Sequence, residues 1–190
     1  MIKIKKINTV SNYLSFSRVL LAVPILYFLS QMEQAYIYRI VAFLLMIIAA
    51  VTDFLDGYFA RKFNEISELG KIIDPLADKL AIGGITIYLF YLNVIPEYLF
   101  WIIIARDILI FIGGSIISAK VGKVLPSNLL GKITVCVLGV YLLAAVLGVS
   151  NIGWLNDFLI ALSIIMSFLS LAGYIIRGTE VLRYKKNENV

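Results

Sequence analysis

Histidine is absent from the 190-residue chain, and cysteine occurs once, at Cys136. Without histidine, zinc-type His/Cys chemistry is excluded, and any metal site must be built from oxygen ligands. A single cysteine cannot close an intramolecular disulfide, and in its apolar run Cys136 reads as a small core hydrophobe. Charge is also scarce, at 15% of residues, where ordinary soluble domains carry about 25%. In its place, 61% of the chain is apolar and mean hydropathy is +0.94, with the excess spread from end to end. One water-facing core cannot absorb that much apolar sequence without exposing large patches. The composition therefore implies an all-α integral membrane protein. Six spans of about 20 residues would use about 120 residues, which leaves no separate soluble domain.

The apolar runs break into segments near 13–29, 36–58, 72–92, 97–118, 129–149 and 154–176, separated by short connections. The pattern predicts one membrane domain over residues 1–190: an N-terminal segment 1–12, a six-helix bundle 13–176 and a basic tail 177–190. No small-residue cleavage site follows the first run, which continues Ser30-Gln31-Met32-Glu33, so that run is expected to be retained. Basic residues alternate between the two sides. They mark the N-terminus (Lys3, Lys5, Lys6), the second connection (Arg61, Lys62, Lys71), the fourth (Lys120, Lys123) and the tail (Arg177, Arg183, Lys185, Lys186). The third and fifth connections have none. The positive-inside rule then puts both termini in the cytoplasm. The net charge of +5 fits cytoplasmic loops against anionic headgroups, with no nucleic-acid partner implied. The N-terminal lysines, spaced between Ile2, Ile4 and Ile7, suit an interfacial segment or a solvated basic tail.

Of the twelve acidic residues, Asp53, Asp56, Asp74, Asp78 and Asp107 lie in or at the edge of these runs. A carboxylate in hydrocarbon costs about 3 kcal/mol, so each needs a reason to be there. Asp53 and Asp56 are three apart at the end of the second run, and Asp74 and Asp78 four apart at the start of the third. Each pair shares a helix face, and antiparallel neighbours bring both pairs to one depth. Solvated acids at helix ends are the alternative, but two matched pairs argue against it. Four carboxylates so close repel one another unless neutralised. Two hard divalent ions with oxygen ligands, about 4 Å apart, would neutralise them and make a phosphoryl-transfer site. Small residues at Gly57, Ala60 and Gly70 permit close helix packing or leave room for a flat base or a phosphate. Arg61 is placed to meet a phosphate bidentately.

Together the stretch reads Asp53-Phe54-Leu55-Asp56-Gly57-Tyr58-Phe59-Ala60-Arg61, then eight residues, then Gly70-Lys71-Ile72-Ile73-Asp74-Pro75-Leu76-Ala77-Asp78. It resembles the signature of the CDP-alcohol phosphatidyltransferase family, D-x-x-D-G-x-x-A-R … G-x-x-x-D-x-x-x-D, with every fixed position filled. Asn12, Ser15, Arg18 and Pro24 are similar to the family's first-span pattern, with Ser in place of the frequent Thr. The resemblance implies transfer of a phosphatidyl group from CDP-diacylglycerol to an alcohol acceptor, with release of CMP. It implies two Mg²⁺ or Mn²⁺ ions on Asp53, Asp56, Asp74 and Asp78, with Asp78 also the general base. It further implies a CDP-lipid pocket at Gly57, Ala60, Arg61 and Gly70, a site on the cytoplasmic face of the cell membrane, and a homodimer, which is common in the family.

For the acceptor, Arg106 lies inside the fourth run, where an unpaired cation is costly, and is expected to face a central cavity. Asp107 points about 100° away around the helix and reads as one half of a buried pair with another span. Arg106 and Lys132, with Arg18, resemble the basic residues by which phosphatidylglycerophosphate synthases of this family grip glycerol 3-phosphate. That subgroup often shows Ala-Arg-Glu and Gly-Lys-x-Lys-Thr. This chain has Ala105-Arg106-Asp107 and Gly131-Lys132-Ile133-Thr134. Arg-Asp at this place is also similar to cardiolipin synthases of the eukaryotic type, and an inositol phosphate is a third acceptor. A small cation transporter is the alternative from another class, although it would favour acids at mid-bilayer and repeated or broken spans.

Overall fold

In the computed structural model the backbone is described for residues 10–62, 82–121 and 129–188, and the side chains for 20–55, 82–118 and 129–183. All regular structure among these residues is helical: α1 (Val10–Ser30), α2 (Tyr36–Lys62), α3 (Ile82–Tyr91), α4 (Glu97–Val121), α5 (Leu129–Val146) and α6 (Gly153–Glu188). A single 3₁₀ turn, Val149–Asn151, lies between α5 and α6. The six expected runs each fall on one of the six helices. Four stretches are long and apolar enough to cross a membrane: Tyr36–Leu55, Glu97–Ser118, Leu129–Val146 and Gly153–Arg183. Leu20–Ser30 and Ile82–Tyr91 are apolar but shorter over the described residues. The stretch expected as a tail from residue 177 is helical as far as Glu188, as a continuation of α6. Most of the N-terminal segment 1–12 lies outside the described residues.

The chain divides into two compact units, Met1–Leu92 and Asn93–Val190. In the first, α1 packs on α2. The buried residues Ile25 and Leu29 recur at helical spacing on α1, Met32 continues them into the turn, and Ala42 and Met46 recur on α2. The intervening Leu20, Val23, Tyr27, Leu44, Ile48 and Val51 are exposed. Helices apolar all round that bury only one stripe are built for lipid. The tight turn between them is closed by backbone bonds at its entry (Met32 N–H to the Leu29 carbonyl, 3.3 Å) and by Arg39 Nε donating to the Met32 carbonyl at 3.1 Å.

In the second unit, α6 packs against both α4 and α5. Asn93 enters α4 with φ 56°, a left-handed conformation that Asn tolerates. The Pro96 carbonyl then accepts the amides of Leu99 and Phe100. After α5 the chain reverses through Gly148 at φ 85°, where a side chain would be strained. Along the α4–α6 seam, Arg106 meets Ser170, Gly114 meets Tyr174 and Ile117 meets Gly178. The partners advance in the same direction on both helices, so α4 and α6 run parallel. Thr134 Oγ1 ties α5 to α6, donating to the Met166 carbonyl at 2.9 Å or to its own Leu130 carbonyl at 2.8 Å. Cys136 is exposed on the outer face of α5 and is not part of the core, because the helix turns Thr134 and Leu138 inward instead.

Two glycines lie against the ends of side chains from the facing helix along the seam. A Cβ at Gly114 would stand 2.5 Å from the Tyr174 hydroxyl, and one at Gly178 2.5 Å from Ile117 Cδ1. Gly139, also helical, has nothing within 4 Å of that position. Gly114→Ala must displace the end of the Tyr174 side chain and is expected to destabilise the protein by about 1 kcal/mol through overpacking. Gly139→Ala is expected to be neutral or to stabilise by at most about 1 kcal/mol. Thermal unfolding of the two variants in detergent micelles compares them directly, and equal midpoints would contradict the seam.

Candidate active site

The first group of chemically active residues sits at the end of α2. The helix continues without interruption through Asp53, Asp56, Gly57, Ala60 and Arg61 to Lys62. Asp53 and Asp56 are therefore on one face, three residues apart, as the spacing predicts. Asp53 is exposed, and Thr52 beside it closes its hydroxyl onto the Ile48 carbonyl at 2.7 Å. Side chains from Asp56 to Arg61 are outside the described set, as are Gly70, Asp74 and Asp78 altogether. Among the described residues there is no cluster of three or more His, Cys, Asp or Glu. What α2 does supply is a pair of hard oxygen donors on a rigid helix, in a chain without histidine. That donor chemistry suits Mg²⁺ or Mn²⁺. Arg18 lies in α1, its side chain outside the described set.

The second group lies in α4. Arg106 is only 8% exposed. Its Nη2 donates to Ser170 Oγ of α6 at 2.7 Å, and its Nη1 pairs with the Asp107 carboxylate. Among the described residues, Asp107 therefore pairs with its neighbour Arg106 and not with another span. The 100° between neighbouring positions is bridged because the arginine side chain is long enough to fold back along its own helix, and the group from another span is a neutral hydroxyl. Arg106 accordingly turns into the α4–α6 seam. Its Nε, fully buried, has no partner among the described residues. A guanidinium has five N–H donors, so this one is held on two sides with donors to spare. Lys132 occupies the first turn of α5 and is exposed.

Ser170 was not among the residues expected at the site, although its burial is complete. The sequence signal for it is weak: Ser163, Ser167 and Ser170 fall at helical spacing in an otherwise apolar run. Two of the three are accounted for locally, since Ser163 donates to the Leu159 carbonyl (2.7 Å) and Ser167 to that of Ser163 (2.8 Å). Such bonds back to the preceding turn are the ordinary way a hydroxyl is satisfied in a helix. Ser170 differs in meeting a charged group from another helix.

Apolar helices that bury one stripe each, with carboxylates at the end of one and a buried cation inside another, are the features of an integral membrane protein. The sequence profile of the CDP-alcohol phosphatidyltransferases matches residues 8–171, running through both units, and the chain belongs to that family. It is thus a membrane-embedded transferase of phospholipid biosynthesis, and the cation-transporter alternative is set aside. A CDP-diacylglycerol–glycerol-3-phosphate 3-phosphatidyltransferase of Aquifex aeolicus is 34% identical over 179 residues, 91% of this chain and 97% of its own length. The Bacillus subtilis protein of the same name is 41% identical over 90 residues, 47% of this chain and 46% of that one. A probable cardiolipin synthase (CMP-forming) of Drosophila melanogaster is 34% identical over 114 residues, 60% of this chain and 34% of its own.

Asp107 is the anionic partner of a buried cation, so its removal leaves Arg106 undercompensated. Breaking a fully buried pair costs about 3–5 kcal/mol. Because the Asp107 side chain is 43% exposed, a smaller loss of about 2 kcal/mol is expected for Asp107→Ala. Chemical or thermal unfolding in micelles measures it, and a loss under about 0.5 kcal/mol would show that the pair carries no stability.

Proposed function

We propose that this protein transfers the phosphatidyl group of CDP-diacylglycerol to glycerol 3-phosphate, forming phosphatidylglycerophosphate and CMP. The observation that carries the acceptor choice is Arg106, a nearly buried guanidinium inside a membrane helix whose Nε has no partner among the described residues. Such a group suits a phosphate far better than an uncharged alcohol. The Aquifex aeolicus relative, similar over almost the full length of both chains, supports the same reading by its name. Lys132 and Arg18 are proposed to join Arg106 at the acceptor phosphate.

In the proposed reaction Asp78 takes the proton from the acceptor hydroxyl. The hydroxyl oxygen attacks the lipid-bearing phosphorus in line, and the bond from that phosphorus to the bridging oxygen breaks, so that CMP departs. Asp53, Asp56, Asp74 and Asp78 would hold two divalent ions, which when bound neutralise the diphosphate and the charge developing on CMP. Gly57, Ala60 and Gly70 leave room for the cytidine, and Arg61 contacts the nucleotide or diphosphate. The chemistry asks for positioning and charge neutralisation more than for a covalent intermediate. Six spans with both termini and the site on the cytoplasmic side would admit the lipid donor from the bilayer and the polar acceptor from water. Pairing of two copies is proposed on the family's habit alone.

Cardiolipin formation is the second reading, favoured by the Arg106-Asp107 order and by the similarity to the Drosophila melanogaster and Rattus norvegicus synthases. Purified protein with CDP-diacylglycerol, Mg²⁺ and separate acceptors decides between them by CMP release and product mass. Glycerol 3-phosphate is expected to support turnover, and phosphatidylglycerol or inositol phosphate to support little. If phosphatidylglycerol alone releases CMP, the second reading holds. Chelation of divalent ions is expected to abolish turnover reversibly, with restoration by Mg²⁺ or Mn²⁺.

Asp78→Asn keeps the size of the side chain and removes the base. Turnover is expected to fall at least about 10³-fold, in the range of lost general-base catalysis combined with a lost metal ligand. Appreciable residual activity in a well-folded Asp78→Asn protein would overturn the base assignment.

A further inference from the structure

We propose that Ser170 is a positioning residue for acceptor recognition, fixing the plane of the Arg106 guanidinium from the neighbouring helix. The inference rests on the reading of Arg106 as the acceptor's phosphate ligand and adds the element that orients it. An arginine on a helix has several rotatable bonds, and immobilising them costs side-chain freedom. A ligand that must do this itself loses affinity accordingly. Here the freedom is already removed. Nη2 is tied to a fully buried hydroxyl on α6 and Nη1 to the Asp107 carboxylate, so two anchors on different helices define the guanidinium plane. Nε, buried and without a partner among the described residues, shows that the anchors leave part of the donor set unused. An orphaned donor on a charged group is costly, which is unfavourable for stability alone and fits a group kept for a ligand.

Ser170 itself is held in place. It lies one turn after Met166, whose carbonyl accepts the Thr134 hydroxyl of α5 at 2.9 Å. In a continuous α-helix that same carbonyl receives the Ser170 amide. The turn carrying Ser170 is thus met both by α5, through Thr134, and by α4, through Arg106. Ser167 provides an internal comparison: it is equally buried, but its hydroxyl donates to the Ser163 carbonyl at 2.8 Å within its own helix.

The test is steady-state kinetics on the full-length protein, varying glycerol 3-phosphate and CDP-diacylglycerol separately. Ser170→Ala is expected to raise the KM for glycerol 3-phosphate about 10-fold, the usual scale for a hydrogen bond to a charged group. The KM for CDP-diacylglycerol should stay within about twofold, as should both constants in Ser167→Ala, the matched loss of a buried hydroxyl. Ser170→Cys preserves volume but accepts hydrogen bonds weakly, so it should follow Ser170→Ala. Wild-type behaviour of Ser170→Cys would assign the residue to packing and overturn the proposal. So would equal effects of Ser170→Ala on both substrates, or none on either. Arg106→Met separates the two levels of failure. If it leaves the acceptor KM unchanged, the acceptor reading falls and the role of Ser170 with it. If it raises that KM while Ser170→Ala does not, only the positioning role is lost.

Discussion

A hydrocarbon phase offers no hydrogen-bond partner, so every polar group carried into it must find one within the protein. That constraint explains why the described elements are helices, whose backbone groups satisfy one another. It also explains what the polar side chains inside them do. Thr86 donates to the Ile82 carbonyl, Ser115 to that of Phe111, and Ser163 and Ser167 each to the turn before. These hydroxyls settle their own account within one helix. Thr134 and Arg106 reach outside theirs, one to a backbone carbonyl of α6 and the other to a side chain of it. These two polar contacts between helices of the second unit converge on the same turn of α6.

Apolar packing between these helices is less selective, because lipid tails are as apolar as leucine. Close approach at small residues and specific polar contacts must therefore decide which helix faces which. The α4–α6 seam uses both: glycine against tyrosine or isoleucine further along, and a charged hydrogen bond nearer its start. The group held most firmly by this arrangement is also the one proposed to meet the substrate. Under the proposed function, structural specificity and recognition would be served by the same side chain, an economy suited to membranes, where each internal charge is expensive.

The helices were legible in the sequence because apolar runs and their breaks follow directly from bilayer thickness. Of the four-carboxylate pattern, one half falls on described backbone, where Asp53 and Asp56 share a face of α2 as their spacing predicts, while Asp74 and Asp78 lie outside the described residues. Side-chain reach was not legible. Helical geometry separates Arg106 from Asp107 by about 100°, and only coordinates show that the guanidinium folds back to its neighbour. Nor could Ser170 be distinguished from Ser163 or Ser167, since the three have the same chemistry and helical spacing, and differ only in what lies opposite. Cys136 was misread for a similar reason: in a helix apolar on every side, hydropathy does not say which face is inward.

The 36 residues of α6 correspond to about 54 Å of helix, against a hydrocarbon slab of about 30 Å. Submerging it entirely would need a tilt of about 55°, beyond the roughly 0–40° that membrane helices adopt. Part of this rod must stand in the headgroup layer or the water, and its basic residues begin at Arg177. Those charges leave the membrane on an ordered screw and not on a loose strand. Arg177 and Arg183 are thereby fixed in angle and height relative to Ser170 below them, so the depth at which the rod floats also sets the depth of the buried arginine.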